Sequence, residues 1–371
     1  MMQAHETKQK TSIGRIIGKT VVRVVAVLLA FVVAVAATLL ISLNLICSNS
    51  FPSAQQMFVT TILETGQLKF LASWFLDADE IQAIVDQNSM KELNAEVDSN
   101  LIQIGGSSGN LSVGGSTAAP DAPPQQDIEI VEVAGSTYTG TMMIVKDPSR
   151  ISLATIYPWR DVGVTLDTLV NSNGAVAGIN GGLYDSSNNT GGKPYGVIVS
   201  NGEIQHNKPY EWPGLVLIGF DEDHILQIID IAGMKADEVE TLIRERRIRD
   251  AVTFQEEASD ANNHFVQLII NNEARQMHGS GSGLNPRTAI GQRADGSVLL
   301  FVTDGRGKSG HLGASSGDLI QVMQQFGAVN AANLDGGSSS CMYYDGEYLM
   351  TSVTFYYSNS SWKLPAGFIV K

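Results

Sequence analysis

The chain has 371 residues, of which 43% are hydrophobic, so it can bury a core in one large domain or two smaller ones. Its formal charge of −14 argues against nucleic acid as a partner, because phosphate backbones require a basic protein surface. Two cysteines are too few for the disulfide framework of a small secreted domain.

The N-terminal residues have the pattern of a membrane anchor. Residues 1–23 carry five Lys or Arg side chains against one Glu, and residues 24–46 are apolar except for one Thr, one Ser and one Asn. About 20 such residues cross a bilayer as a helix, and cations before them keep the N-terminus in the cytoplasm. We therefore predict a basic cytoplasmic tail (1–23), a transmembrane anchor (24–46) and an extracytoplasmic remainder. A cleaved signal peptide is the alternative, but its apolar core usually has only about 7–15 residues.

Two segments connect the anchor to the rest of the chain. Residues 51–104 are predicted to form a helical juxtamembrane region, in which Asp77 and Glu80 have the spacing of a capping box and apolar residues then recur at helical spacing. Residues 105–127 are rich in Gly and Ser and then in Pro and Ala. This composition predicts a flexible linker.

From residue 128 to the C-terminus, short β-rich runs alternate with turn signals. The predicted strands are 128–133, 141–145, 151–156, 175–179, 195–199, 215–220, 265–270, 298–302, 331–334 and 367–370. The predicted helices are 166–171, 236–247 and 316–326. Asn201-Gly202 and Asp295-Gly296 indicate hairpins between apolar runs. We predict an α+β domain over 128–371, built on a mixed, mostly antiparallel sheet with a minority of helices.

Three apolar runs of this domain end in Asn or Asp followed by glycine. Asn180 precedes Gly181 and Gly182, while Asp304 and Asp335 each close a run and precede glycine. Glycine lets a ligand approach the main chain, and functional groups gather on loops at one end of a sheet. An ordinary Asp-Gly hairpin turn is the alternative for each Asp.

Four segments taken together resemble a known family. They are 178–185 (Gly-Ile-Asn-Gly-Gly-Leu-Tyr-Asp), 285–291 (Asn-Pro-Arg-Thr-Ala-Ile-Gly), 299–306, which ends in Thr-Asp-Gly-Arg, and 331–342, which contains Asn-Leu-Asp-Gly-Gly-Ser. In this order they resemble the phosphodiester glycosidase family, whose type member removes N-acetylglucosamine from a sugar phosphodiester and so uncovers mannose 6-phosphate. The resemblance implies a hydrolase of sugar–phosphate linkages.

Hydrolysis of a sugar–phosphate bond requires stabilisation of charge on both sides of that bond. The phosphate is a weakly basic leaving group whose oxygens suit an arginine fork, so Arg287 and Arg306 are predicted to bind phosphate. Structural ion pairs with nearby aspartates are the alternative for both arginines. The sugar side needs a carboxylate, for which Asp304 and Asp335 are the first pair and Asp185 the third candidate.

Amides, hydroxyls and glycine N–H groups near these residues are predicted to bind substrate. They are Asn180, Gly181, Gly182, Thr288, Asn333, Gly336, Gly337, Ser338 and Ser339. The two asparagines either hold sugar hydroxyls or order the loops. The glycines serve the backbone turns first, and their N–H groups could also form a nest for an anion. We predict no metal ligands and no cofactor, because the acidic run 221–224 is typical of a charged turn.

These features predict a membrane-anchored extracytoplasmic hydrolase that cleaves a bond between a sugar, N-acetylglucosamine being one candidate, and phosphate in a phosphodiester-linked glycan. The predicted partners are this substrate and the membrane. The alternatives are a non-catalytic cell-envelope glycan-binding module and an exopolysaccharide assembly factor. Binding of a sugar phosphate without turnover would indicate the first of these alternatives.

Overall fold

The computed structural model describes residues 2–48, 50–65, 68–91, 93, 95–105, 127–259, 261–351 and 359–371. The predicted linker lies outside the described residues except at its ends, residues 105 and 127. The chain forms two compact units, Met1–Phe58 and Val59–Lys371.

The elements have the following bounds. The helices are α1 (Met2–Ile46), α2 (Pro52–Leu63), α3 (Phe70–Ser73), α4 (Ala78–Gln87), α5 (Leu166–Ser172), α6 (Ala236–Glu245) and α7 (Ser316–Gln325). The strands are β1 (Ile128–Ala134), β2 (Thr139–Val145), β3 (Ile151–Thr155), β4 (Ala177–Asn180), β5 (Gly196–Ser200), β6 (Glu203–Lys208), β7 (Leu215–Asp221), β8 (Leu226–Asp230), β9 (Ile248–Gln255), β10 (Glu257–Ala258), β11 (Asn263–His264), β12 (Gln267–Ile270), β13 (Glu273–Ala274), β14 (Thr288–Arg293), β15 (Val298–Thr303), β16 (Ala328–Asn333), β17 (Cys341–Tyr344), β18 (Glu347–Thr351) and β19 (Ala366–Val370).

The first unit contains the long apolar helix α1. Its Gly18–Ile46 stretch has 29 residues, is exposed along its length and reaches a mean hydropathy of 3.1. A helix of this length and composition can cross a membrane, although a signal sequence near an N-terminus has the same properties.

Three sheets make up most of the second unit. Their strand orders are β1-β2-β15-β14-β16-β12-β13, β18-β17-β4-β19-β3 and β6-β5-β9-β7-β8, and β10 pairs with β11 apart from them. Every strand pairing among the described residues is antiparallel. This confirms the predicted α+β class with mostly antiparallel strands, now divided among three sheets.

The three sheets share one hydrophobic core. Ile290 of the first sheet, Phe368 of the second and Phe220 of the third are all completely buried in it. The two phenylalanine rings pack edge to face at a centroid distance of 6.3 Å, a favoured aromatic geometry. The loops that carry the predicted site residues are therefore attached to a well-packed core.

The predicted hairpin at Asn201-Gly202 is confirmed. Ser200 and Glu203 face each other across a two-residue turn, and the φ angles of Asn201 and Gly202 are 51° and 76°. Positive φ at both central residues defines the turn type whose twist matches a β-hairpin.

The described part of the segment between Val59 and residue 105 packs against the strands. Its helix α4 begins with the predicted capping box, since Glu80 N donates to Asp77 at 2.9 Å and Asp77 N donates to Glu80 at 3.0 Å. Further along, Gln103 N donates to the Ala294 carbonyl at 2.8 Å, and Ile102 is buried beside strand residues. This segment is thus part of the same compact unit as the sheets.

Strand directions bring the two principal aspartates to one edge of the first sheet. Both β15 and β16 pair antiparallel with β14, so they run in the same direction and end at the same edge. Asp304 directly follows β15, and Asp335 lies two residues beyond β16. One strand separates them, which corresponds to about 10 Å between strand axes.

Candidate active site

Asp335 begins a tight turn that the neighbouring strand holds in place. We call residues 335–339 the Asp335 turn. Within it, Gly337 has a φ of 61°, and its N–H donates to the Pro286 carbonyl at 2.7 Å. A Cβ at Gly337 would lie 2.6 Å from Nη2 of Arg306. Glycine is therefore needed there for both the backbone angle and the close approach of the guanidinium group.

The carboxyl group of Asp335 has an unusual proton affinity. Burial raises its pKa to about 7, and this effect outweighs hydrogen bonds from Ser339 and the Gly336 N–H and the attraction of Arg306. A carboxyl group with this pKa can accept or release a proton near neutral pH. Asp335 is thus suited to acid–base chemistry.

Asn180 ties the ends of three strands together. Its Nδ2 donates to the Asp335 carbonyl at 2.7 Å, while its Oδ1 accepts hydrogen bonds from Thr288 Oγ1 at 2.7 Å and Cys341 N at 3.2 Å. All of its amide atoms are engaged in ordering the loop. Thr288, its buried partner, has the same ordering role.

Arg306 connects its own loop to the Asp335 turn. Its backbone is left-handed with a φ of 54°, and its Nη1 donates to Ser338 Oγ at 2.7 Å. Burial lowers the pKa of its guanidinium group, while Asp335 and Glu64 oppose this shift. The predicted phosphate-binding residue therefore lies next to the predicted catalytic carboxylate.

Arg287 is buried and holds a carboxylate from a distant part of the chain. Its Nη2 pairs with Glu64 Oε2 and also donates to Ser282 Oγ at 2.8 Å and to the Gly283 carbonyl at 2.6 Å. Both side chains of the ion pair are about 95% buried. The ion-pair alternative for Arg287 is thus observed, but with Glu64 rather than with Asp304 or Asp335.

Glu64 is bound by more than one donor. Gly283 N donates to its Oε1 at 2.7 Å, and Asn285 Nδ2 donates to its Oε2 at 3.3 Å. Burial raises the pKa of Glu64, and Arg287 is the strongest opposing influence. We call Gly283, Asn285 and Arg287 the Glu64-binding site, because together they form a site for an anion.

Both carboxylate oxygens of Asp304 accept hydrogen bonds from neighbouring residues. Thr139 N donates to its Oδ1 at 2.8 Å, and His311 Nδ1 donates to its Oδ2 at 2.7 Å. Its side chain is 4% exposed and that of His311 is 29% exposed. Asp304 therefore fixes the start of β2 and the orientation of an accessible imidazole.

Asp185 has a different environment. Ser187 N donates to its Oδ1 at 3.0 Å, and hydrogen bonds from Ser187 are the main cause that lowers its pKa. It lines a polar surface cleft together with Lys193 and Asp161. Among the described residues, its hydrogen bonds do not reach Asp304, Asp335, Arg287 or Arg306.

Three other candidates have packing roles. A Cβ at Gly182 would lie 2.3 Å from the Thr253 carbonyl oxygen, and one at Gly181 would lie 3.1 Å from the Ala366 carbonyl oxygen. Asn333 is buried, and its Nδ2 donates to the Phe265 carbonyl at 3.1 Å.

Sequence patterns did not single out several residues that shape the site. Tyr184 is buried, and its Oη lies 2.9 Å from Ser339 Oγ. Glu64 was visible only as a lone acid after an apolar helix, which is a weak sign of a buried partner. In the described part of the chain, no group of three or more His, Cys, Asp or Glu side chains is placed to hold a metal ion.

Comparison with known proteins identifies a family for this chain. The phosphodiester glycosidase family matches residues 173–371. The SPbeta prophage-derived uncharacterized protein YomE of Bacillus subtilis (strain 168) is 38% identical over 65 residues, which are 18% of this chain and 10% of that protein. The chain therefore matches only a small part of that relative.

The solved structures that this chain resembles have low sequence identity to it. The zebrafish N-acetylglucosamine-1-phosphodiester alpha-N-acetylglucosaminidase catalytic domain, auto-inhibited by its pro-peptide, is 19% identical with a TM-score of 0.47, covering 68% of this chain and 86% of that chain. A hypothetical protein from Synechocystis is 17% identical with a TM-score of 0.39, covering 66% of this chain and 61% of that chain. The family match spans more than half of the sequence and includes every predicted site residue, so this chain belongs to the phosphodiester glycosidase family.

Proposed function

We propose that this protein hydrolyses the glycosidic bond between a sugar and phosphate in a phosphodiester-linked glycan. The observation that carries the proposal is the Glu64-binding site, where an N–H group, an amide and a buried guanidinium already hold an anion. Two of its three residues belong to the Asn-Pro-Arg-Thr segment of the family motif. An arginine fork with additional N–H donors suits phosphate oxygens equally well.

The electrostatic surroundings support an anionic ligand in this region. His264 lies nearby, and burial together with the positive charges of Lys69 and Arg287 lowers its pKa to about 3. Burial is the larger cause of this shift, and Lys69 and Arg287 add to it, so both cations lie close to this region. A substrate phosphate would be attracted by these two cations in the same way as the Glu64 carboxylate.

In the bond-breaking step, the arginines act on the phosphate and Asp335 acts on the attacking water. A water molecule attacks the anomeric carbon, the bond from that carbon to the phosphate oxygen breaks, and the phosphate leaves with the electron pair. Arg287 and Arg306 stabilise the departing negative charge, while the Asp335 carboxylate accepts the proton of the attacking water. Because phosphate is a weakly basic leaving group, this step needs little acid assistance.

Glu64 must leave before a substrate phosphate can use the same donors. Glu64→Gln keeps the size of the side chain and removes its charge, so it should weaken its hold on Arg287 and lower the KM for a phosphodiester several-fold. Asp86→Asn is the matched control, since Asp86 is an exposed carboxylate of the same segment. An unchanged KM in Glu64→Gln would place the substrate phosphate elsewhere.

We also propose that residues 24–46, within the Gly18–Ile46 stretch, form an uncleaved anchor that keeps the second unit outside the cytoplasm. Its length and the cations before it support this topology. N-terminal sequencing of the membrane-extracted protein tests it, because a mature chain that begins near Ser48 would show a cleaved signal peptide instead.

The activity itself can be tested with the full-length protein in detergent. UDP-N-acetylglucosamine and a panel of sugar-1-phosphodiesters are incubated with it, and free sugar is measured. Release of sugar from one or more of these substrates is the expected result. Saturable binding without release would show a glycan-binding module, and neither binding nor release would contradict the proposal.

A further inference from the structure

The region around helix α3 exposes a small aromatic surface. Leu68, Phe70 and Trp74 are 46%, 46% and 62% exposed, and we call these three residues the aromatic patch. The rings of Phe70 and Trp74 contact each other at a centroid distance of 5.0 Å and an angle of 64°. Two aromatic rings that pack on each other while both face solvent form a contiguous apolar surface, which differs from scattered exposed residues.

The other side of the same segment is fixed to the protein body. Ala72 and Leu76 are buried, and Lys69 Nζ donates to Asn262 Oδ1. Glu257 also attracts the ammonium group of Lys69. Because these contacts face inward, the segment that carries the aromatic patch is fixed to the protein body, and the ammonium group of Lys69 is turned away from the patch.

A short stretch of chain connects this patch to the apolar helix. Ile46 ends the helix, and 21 residues separate it from Leu68. A fully extended chain of that length spans at most about 75 Å. If the helix crosses a membrane, the patch therefore stays within about 75 Å of the bilayer surface.

The composition of the patch fits the interface between lipid and water. Tryptophan and other aromatic side chains concentrate at the level of the lipid headgroups. The exposed neighbours Asp77, Asp79 and Glu80 are acidic, so attraction to anionic lipids is not available here. The expected contact is apolar insertion into a bilayer of zwitterionic lipid.

We infer that Leu68, Phe70 and Trp74 insert into the membrane interface and seat the Val59–Lys371 unit on the bilayer. This contact is separate from glycoside hydrolysis and does not depend on it. It would present the sheet unit to the membrane through a fixed face instead of leaving it free on a tether.

Tryptophan fluorescence in reconstituted vesicles tests this inference. The full-length protein is inserted into phosphatidylcholine vesicles with and without phosphatidylcholine brominated near the glycerol end of its acyl chains. The four tryptophans are Trp74, Trp159, Trp212 and Trp362, and the apolar helix contains none. We expect bromine quenching in the native protein, loss of most of this quenching in Trp74→Phe, and no loss in the control Trp212→Phe.

The outcomes separate the possible occupants of the patch. Phenylalanine keeps an aromatic ring at position 74, so the variant retains the packing of the segment. If Trp74→Phe is quenched by bromine as strongly as the native protein, the inference is wrong. It is equally wrong if Trp74 responds to aqueous iodide, which would show exposure to water, or to neither quencher, which would show burial against protein such as a second copy.

Discussion

Asp304 and Asp335 follow two strands that end at the same sheet edge, yet their surroundings differ. Asp304 accepts hydrogen bonds from Thr139 N and His311, which use both of its oxygens. For Asp335, burial is the strongest influence on the pKa of the carboxyl group and raises it to about 7. The same sequence pattern, a strand followed by Asp-Gly, thus produces one positioning carboxylate and one carboxyl group that can exchange protons.

Two features separate these carboxyl groups: the partners that Asp304 holds, and the raised pKa of Asp335. Removal from water favours the protonated form of a carboxyl group. Asp335 also accepts hydrogen bonds, from Ser339 and the Gly336 N–H, but burial outweighs them and raises its pKa. Asp335 is therefore our candidate for proton transfer, and Asp304 is our candidate for holding the adjoining loop.

The largest expected effect comes from Asp335→Asn. Asparagine keeps the size and hydrogen bonding of the side chain but cannot accept the proton of the attacking water. We expect kcat on a sugar-1-phosphodiester to fall by about 10³-fold, within the range for loss of a general base, while circular dichroism stays unchanged. Turnover close to that of the native protein would remove Asp335 from the reaction.

Arg287→Lys tests the proposed phosphate contact independently of the two aspartates. Lysine keeps the charge but loses the planar fork, so kcat/KM for phosphodiesters should fall by roughly 10-fold to 100-fold. An aryl glycoside whose leaving group has no phosphate should be much less affected. Equal losses on both substrates would indicate general damage to the site instead of a lost phosphate contact.

Asp304→Asn tests the other aspartate in the comparison with Asp335. Because Asp304 holds Thr139 N and His311, we expect a loss of about 1.5–3 kcal/mol in stability, typical of hydrogen bonds to a charged group, and a fall in kcat of only about tenfold. Denaturant unfolding and steady-state kinetics on the same sample measure the two effects. A loss of kcat as large as that in Asp335→Asn, with normal stability, would show that both carboxylates take part in the chemistry.

The raised pKa of Asp335 also predicts a pH dependence of stability. The pKa of Asp335 is raised in the folded protein from 3.8 to about 7, so its contribution to stability is fully present below about pH 4 and is lost as the pH rises through 7. Asp335→Asn should remove this part of the decline. Thermal denaturation curves of the two proteins between about pH 4 and 8 should therefore approach each other towards the acid end, where Asp335 becomes neutral in the unfolded chain as well, and parallel curves would contradict the raised pKa.

Much of the fold follows from local sequence. The apolar runs predicted ten of the 19 strands among the described residues, and Asn201-Gly202 predicted a hairpin correctly, because both signals depend only on neighbouring residues. Strands β9 and β14 are among those that were missed, because polar side chains such as Arg249 and Gln292 interrupt their apolar pattern. Their burial arises from pairing on both sides within a sheet, which a local pattern does not reveal.

Local sequence patterns could predict only part of the candidate site. Asp345-Gly346 forms a two-residue hairpin turn, whereas Asp335-Gly336 begins the site turn, although the dipeptide is identical. Tertiary contacts of Asn180 and Pro286 decide between these two outcomes. The pairing of Glu64 with Arg287 joins residues 223 positions apart, so no local pattern could predict it.

The pH dependence of kcat/KM on a sugar-1-phosphodiester tests the central proposal most directly. If ionised Asp335 accepts the proton of the attacking water, kcat/KM should rise as the pH passes through about 7 and then level off, and the residual activity of Asp335→Asn should lack this rise. A native profile that is flat through about pH 7, or the same rise in Asp335→Asn, would contradict the role of Asp335.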